Sequence, residues 1–337
     1  MRKFFLFLVS LFIGLGVFIW VIKFVGWQEI KDAFLVFTGW RGMIIFFLTA
    51  LAFLVGIWKW REILKSQGNL IPFFQLFKAY LAGFSLMYLF QIFSLGGEFL
   101  RGYVIKKENS LPFSKAMASV IIDRILDLTV GFFIIIFGIL IFIFKIGLPP
   151  SSLIMIFLAT FLAFLIGVFL FYYKVLKKES PLKFFLRFFI KKYEKDHSPF
   201  PMEEEIFNFF RIKQKIFWKS LGLTFLKNGV LLLRCWSLLF FLGKQVEFLP
   251  AFSIFGFYSL AAVLPIPAEL GTEDATQLFV FNSFGLTGAT ATAFVMIIRG
   301  ADLILALAGL FLFFRLGFKL TEENLLPIFK NDKNVVD

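Results

Sequence analysis

Apolar stretches of membrane-crossing length follow one another along almost the whole chain, near 4–22, 43–58, 73–95, 118–144, 152–173, 218–241, 251–268 and 286–314. A helix needs roughly 20 apolar residues to cross the hydrocarbon core of a bilayer. Once these segments are removed, the longest remainder is residues 174–219, too short and too basic for a catalytic domain with its own core. A mean hydropathy of +0.87, with 17% charged residues, leaves too little polar surface to keep 337 residues folded in water. The expected fold class is an all-α integral membrane protein.

The same residues exclude several kinds of chemistry. His197 is the one histidine and lies in a polar loop beside Asp196 and Pro199; Cys235 is the one cysteine and lies in an apolar run. Metal sites built from His and Cys are therefore not expected, nor is Ser-His-Asp or Cys-His catalysis or an internal disulfide. No cofactor is expected. The net charge of +13 does not point to nucleic acid, because the basic residues sit between the apolar spans, where they orient helices and meet anionic head groups. The first residues mimic a signal peptide, but the apolar stretch is too long and no small-residue cleavage site follows, so a retained first helix is expected.

Eight simple crossings would put the basic stretches 59–78, 101–115 and 174–219 on different sides, against the positive-inside rule. Two segments carry helix breakers and a short apolar return: SLGGEFLRGYVI at 94–105, with Gly96 and Gly97, and LPIPAELGTEDATQLFVF at 264–281, with Pro265, Pro267 and Gly271. These read as re-entrant helical hairpins near 73–106 and 251–285, leaving about six full spans. Lysine and arginine then number 26 inside and 5 outside, with Arg124, Lys227, Arg234 and Arg299 in the membrane. This threading predicts a prokaryotic-type cell membrane protein with both termini cytoplasmic.

The charged residues also reveal a repeat. Gly96-Gly97-Glu98, Arg124 and Asp127 recur as Gly271-Thr272-Glu273, Arg299 and Asp302, every pair offset by 175. Residues 1–150 read as a first membrane repeat, with spans near 4–22, 43–58 and 118–144. Residues 151–317 read as a second, with spans near 152–173, 218–241 and 286–314, the basic cytoplasmic loop 174–219 and a cytoplasmic tail at 318–337. Its longer loop accounts for the uneven spacing of the segments upstream. Three crossings per half make the second half enter from the opposite side, an inverted-topology repeat.

A charge at the bilayer centre costs about 2.5 to 3.5 kcal/mol on insertion scales, yet Glu98, Asp123, Arg124, Asp127, Glu269, Glu273, Asp274, Arg299 and Asp302 lie in or beside spans. Glu98 with Arg101, Arg124 with Asp127 and Arg299 with Asp302 are three apart and can share a helix face. They read either as ion pairs pinning the hairpins or as the lining of a polar cavity near the midplane. Half-helix N-termini and arginine forks suit a phosphate, while the carboxylates suit a cationic head group, a coupling proton or the orienting of the arginines. Lys227 and Arg234, seven apart on one helix, read as an extension of the cavity wall, as snorkelling side chains or as packing. Lys183, Arg187 and Lys191, four apart among Phe and Leu, read as an amphipathic helix on the anionic inner leaflet, with 203–217 as a second. Trp20, Trp27, Trp40, Trp58 and Trp60 read as interfacial anchors.

At these residues the sequence resembles the lysylphosphatidylglycerol synthase transmembrane region, or flippase-like domain. The matching features are Gly97-Glu98 with Arg101, then Arg124 and Asp127, then Pro265 and Pro267 followed by Gly271 and Glu273, and lastly Arg299. The resemblance spans about residues 5–317 and implies a lipid head-group or translocation site at Glu98, Arg101, Arg124, Asp127, Glu273, Arg299 and Asp302. In the fused members, the multiple peptide resistance factors, this region is thought to move aminoacylated phosphatidylglycerol between leaflets, while a cytosolic domain makes that lipid. Here the chain stops about 20 residues after its last predicted helix, so the resemblance implies a flippase-like part without the synthase, and no enzyme activity. Ala268-Glu269 stand where the family usually has two glycines, which argues against assuming the same substrate.

The expected function is translocation of a phosphate-bearing lipid, aminoacylated or prenyl-linked, with anionic phospholipid or lipid-linked phosphate as partner. Two other classes stay open: an intramembrane lipid-modifying transferase with Glu98 or Glu273 as base, and a non-transporting partner of a separate lipid synthase or glycosyltransferase.

Overall fold

The computed structural model describes residues 39–89, 94–147, 201–210, 215–263 and 272–331, with positions 162, 166 and 173. Among the described residues there are nine helices and no strand. They are α1 Trp40–Ser66, α2 Phe73–Leu89, α3 Ser94–Asn109, α4 Phe113–Ile146, α5 Pro201–Phe209, α6 Lys215–Phe241, α7 Phe248–Val263, α8 Thr272–Ser283 and α9 Gly288–Asn331. The spans expected at 4–22 and 152–173, the leaflet contacts Lys183, Arg187 and Lys191, and the breakers Pro265, Pro267 and Gly271 lie outside the described residues.

Among the described residues four helices are long and apolar enough to cross a bilayer: α1, α4, α6 and residues 288–315 of α9. At 1.5 Å per residue a 27-residue helix such as α1 spans about 40 Å, beyond the roughly 30 Å hydrocarbon core. α2 and α7 are apolar but, at 17 and 16 residues, too short to cross the hydrocarbon core unless the bilayer thins around them. The α9 helix continues to Asn331, through most of the segment expected as a tail.

Three pairs of helix starts repeat at one interval. Trp40 and Lys215, Phe73 and Phe248, and Phe113 and Gly288 are each 175 residues apart. The packing follows the same correspondence. α3 lies back along α2, and α8 along α7; α2 packs on α9, and α7 packs on α4; α1 packs on its own counterpart, α6.

Small residues permit the tightest of these crossings. A Cβ on Gly256 of α7 would strike Gly138 and the Ile134 carbonyl of α4, and a Cβ on Gly309 of α9 would strike the Leu81 backbone of α2. Gly256 and Leu81 are 175 apart, as are Gly309 and Ile134, so the two crossings occupy corresponding positions. Close backbone approach through small residues is the usual source of helix association where lipid removes the hydrophobic drive.

The α5 helix overlaps the first part of the 203–217 segment expected on the leaflet surface. Its Ile206, Phe207 and Phe209 are instead buried against Ile63, Ala118, Ile122 and Leu126, because an apolar face beside the ends of α1 and α4 loses more water by docking on protein. Trp40 and Trp58 are exposed, as anchors would be, but Trp60 is fully buried and its indole N–H donates to Ser119 Oγ at 3.1 Å. A polar ring atom with a partner inside the bundle has no need of the interface.

Candidate functional site

The bundle encloses a cavity of about 460 Å³ between α1, α2, α3, α4, α6, α7 and α9. Phe53, Phe84, Met87, Leu128, Phe132 and Phe255 form much of its apolar wall; Thr49, Tyr80, Tyr88, Asn228, Tyr258 and Ser259 add neutral polar groups. Its charged lining comprises Glu98, Arg101, Arg124, Asp127, Lys227, Arg234 and Asp302. This size lies within the range of about 300–1,000 Å³ typical of small-ligand sites, but the density of charge exceeds what such sites carry.

The charges are organised by bridges between helices. From α1, Lys59 reaches Asp127 at 2.6 Å and Asp123 at 2.9 Å, both on α4. From α6, Arg234 reaches Asp302 of α9 at 2.9 Å. Lys59 and Arg234 are 175 apart, as are Asp127 and Asp302, so each half ties its first long helix to its last by a cation–carboxylate strut. Lys59, Arg234 and Asp123 are fully buried or nearly so, which removes the option of leaving any of them unpaired. Arg234 also donates to Thr49 Oγ1 at 3.2 Å, and Thr49 and its counterpart Thr224 both cap back onto the preceding turn of their own helices.

Arg101 is the other hub. Its guanidinium spans Glu98 at 3.0 Å and Asp123 at 2.8 Å and lies between the faces of Trp60 and Tyr80, 4.3 and 4.2 Å from the ring centroids. A planar fork that binds two carboxylates and stacks on two rings uses properties lysine lacks. Gly83 and Gly97 make room for it: a Cβ on Gly97 would strike the Gly83 carbonyl, and one on Gly83 would strike the Arg101 stem. Gly96 and Gly97 thus lie within α3, and Gly97 serves the approach of α3 to α2.

The expected three-apart pairs divide differently between the halves. Glu98 pairs with Arg101. Asp127 is bound by Lys59 and by Lys227, the latter at 2.8 Å, and Arg124 makes no ion pair with a described carboxylate; its side chain is exposed and lines the cavity. In the second half Arg299 is held by Glu273 at 3.3 Å and Asp274 at 3.0 Å rather than by Asp302. That cluster lies outside the cavity lining, with Tyr88 of α2 donating its hydroxyl to the Arg299 carbonyl at 3.1 Å. Of the residues singled out in the sequence, Glu98, Arg101, Arg124, Asp127 and Asp302 meet at the cavity, while Glu273 and Arg299 meet beside it.

Lys59 was not singled out, because it stands at the head of a basic stretch that reads as a cytoplasmic loop. The 175-residue offset from Arg234 was the signal that identifies it. Lys59 and Arg101, both expected in basic stretches outside the membrane, are buried within the bundle. Among the described residues no cluster of His, Cys, Asp and Glu is arranged to hold a metal ion.

Apolar spanning helices around a charged central cavity define an integral membrane protein that associates with lipid through its membrane region. The chain belongs to the family of the lysylphosphatidylglycerol synthase TM region, which matches residues 7–309. A curated relative, the UPF0104 membrane protein MJ1595 of Methanocaldococcus jannaschii, is 24% identical over 271 residues, 78% of this chain and 80% of that protein. No solved structure matches the chain.

Proposed function

We propose that this protein is a flippase-like lipid translocator, which takes a phosphate-bearing head group into the central cavity while the acyl or prenyl chains stay in the bilayer. The observation that carries this reading is the cavity itself: charged side chains from both halves converge on one space flanked by apolar wall, where a polar head and its chains each find matching surroundings. The proposed architecture is an inverted-topology repeat of three spans and one re-entrant hairpin per half, with both termini in the cytoplasm of a prokaryotic-type cell. The common 175-residue interval, the corresponding crossings and the corresponding Lys59–Asp127 and Arg234–Asp302 struts support it. Glu273 and Arg299 would then pin the second hairpin.

Reconstitution into vesicles with labelled phospholipid tests the function. Wild-type protein is expected to accelerate exchange between leaflets, and Arg124→Ala to abolish the acceleration while preserving the fold, since no described carboxylate depends on Arg124. Exchange at the protein-free rate with well-folded wild-type protein would favour the partner or transferase readings. Topology has its own test. Cysteines introduced at Ser151 and Ser180 are expected to label from opposite faces of the membrane, and labelling from one face would refute the inverted repeat.

A further inference from the structure

The correspondence between the halves separates scaffold from site. Struts present in both halves hold the bundle; a cation whose pairing is not repeated at the corresponding position, and on which no carboxylate depends, is available to serve something else. Two cations in the cavity are of that second kind.

Arg124 corresponds to Arg299. Arg299 is held by Glu273 and Asp274, and Glu273 corresponds to Glu98. In the first half, however, Glu98 is taken by Arg101, whose counterpart is Thr276. Arg124 is thereby released from the pairing its counterpart makes and faces the cavity with no described carboxylate within ion-pair distance. Lys227 corresponds to Ala52, which also lines the cavity. It binds Asp127, which already has Lys59 at 2.6 Å, and so adds a cation that the strut does not require.

Every described carboxylate at the cavity is matched: Glu98 by Arg101, Asp127 by Lys59 and Lys227, and Asp302 by Arg234, with Asp123 behind them shared by Lys59 and Arg101. In their ordinary ionisation states five cations meet four carboxylates among the described residues, a surplus of one positive charge. Beside an apolar wall such a surplus attracts an anion far more strongly than it would in open water.

Resting on the lipid reading above, we propose that Arg124 and Lys227 form an anion subsite for a single phosphodiester, and that the site selects a lipid head with one net negative charge. Arg124 supplies the fork and Lys227 a mobile point charge that can swing from Asp127 to the phosphate, leaving Asp127 on Lys59. No described carboxylate at the cavity is left without a cation, so an aminoacylated head, with its added ammonium groups, finds no partner among them and is disfavoured.

The test is calorimetric titration of full-length protein in a non-ionic detergent with four probes: dioctanoyl phosphatidylglycerol, its lysyl ester, dioctanoyl phosphatidylcholine and inorganic phosphate. Phosphatidylglycerol is expected to bind at least roughly tenfold more tightly than each of the others. Arg124→Gln and Lys227→Met are each expected to weaken it about tenfold, the loss of one charge-assisted contact, with unchanged thermal transitions because neither strands a described carboxylate. Equal or tighter binding of the lysyl ester overturns the selectivity, and wild-type affinity in both variants overturns the subsite. Equal binding of inorganic phosphate overturns the lipid as the source of the anion. Selective binding without leaflet exchange would instead remove the translocation reading and leave this site standing.

Discussion

Arg101→Ala is expected to destabilise the protein by about 3–5 kcal/mol, the usual consequence of removing one partner from a buried ion cluster. The arginine joins Glu98 to Asp123 and is packed between Trp60 and Tyr80, all within the bundle. Its loss leaves Glu98 with no described cation, leaves Asp123 to Lys59 alone, and opens a gap between two rings. Arg101→Lys should fall between alanine and wild type, since it keeps the charge but cannot reach both carboxylates or stack. Thermal unfolding in detergent, with abundance in the membrane as a second readout, measures both. A wild-type transition in the alanine variant would mean that the two carboxylates are hydrated rather than sealed in the bundle.

The second large effect belongs to the crossings. Gly256→Leu and Gly309→Leu are each expected to cost about 1–3 kcal/mol or more, because the new side chain meets backbone, which cannot turn aside. The magnitudes should be similar, since the two sites are counterparts. Gly222→Ala or Gly229→Ala, where an added Cβ meets nothing, provides the control and should leave stability unchanged or slightly raised. A Gly309 variant as stable as the control would show that α2 and α9 do not approach as closely as described.

Much of this arrangement was legible from apolar spacing and rare charges. Segments near 43–58, 118–144, 218–241 and 286–314 correspond to the four long helices, because length and hydropathy are local properties of the chain. The 175-residue offset was legible from Glu98, Arg124 and Asp127, since a charge stands out against an apolar background. Pairing was not. Arg124 and Asp127 share a helix face, but whether they bind each other depends on what α1 and α6 bring across, and Lys59 and Lys227 arrive first. Trp60 and Lys59 illustrate the same limit: at the end of an apolar run, an anchor and a buried partner have the same local sequence, and only the neighbouring helices distinguish them.

The exchange of packing partners between the halves bears on how the chain is assembled during synthesis. α4 finds its close neighbour in α7, and α2 finds its own in α9, so each is translated long before that neighbour. Until then the surfaces around Gly138 and Leu81 face lipid or the insertion machinery. Closure is therefore a late event requiring contacts between residues far apart in sequence, which lengthens the exposure of unfinished intermediates to proteases and quality control. Release of the chain after α4 would yield an unpaired half rather than a smaller working protein.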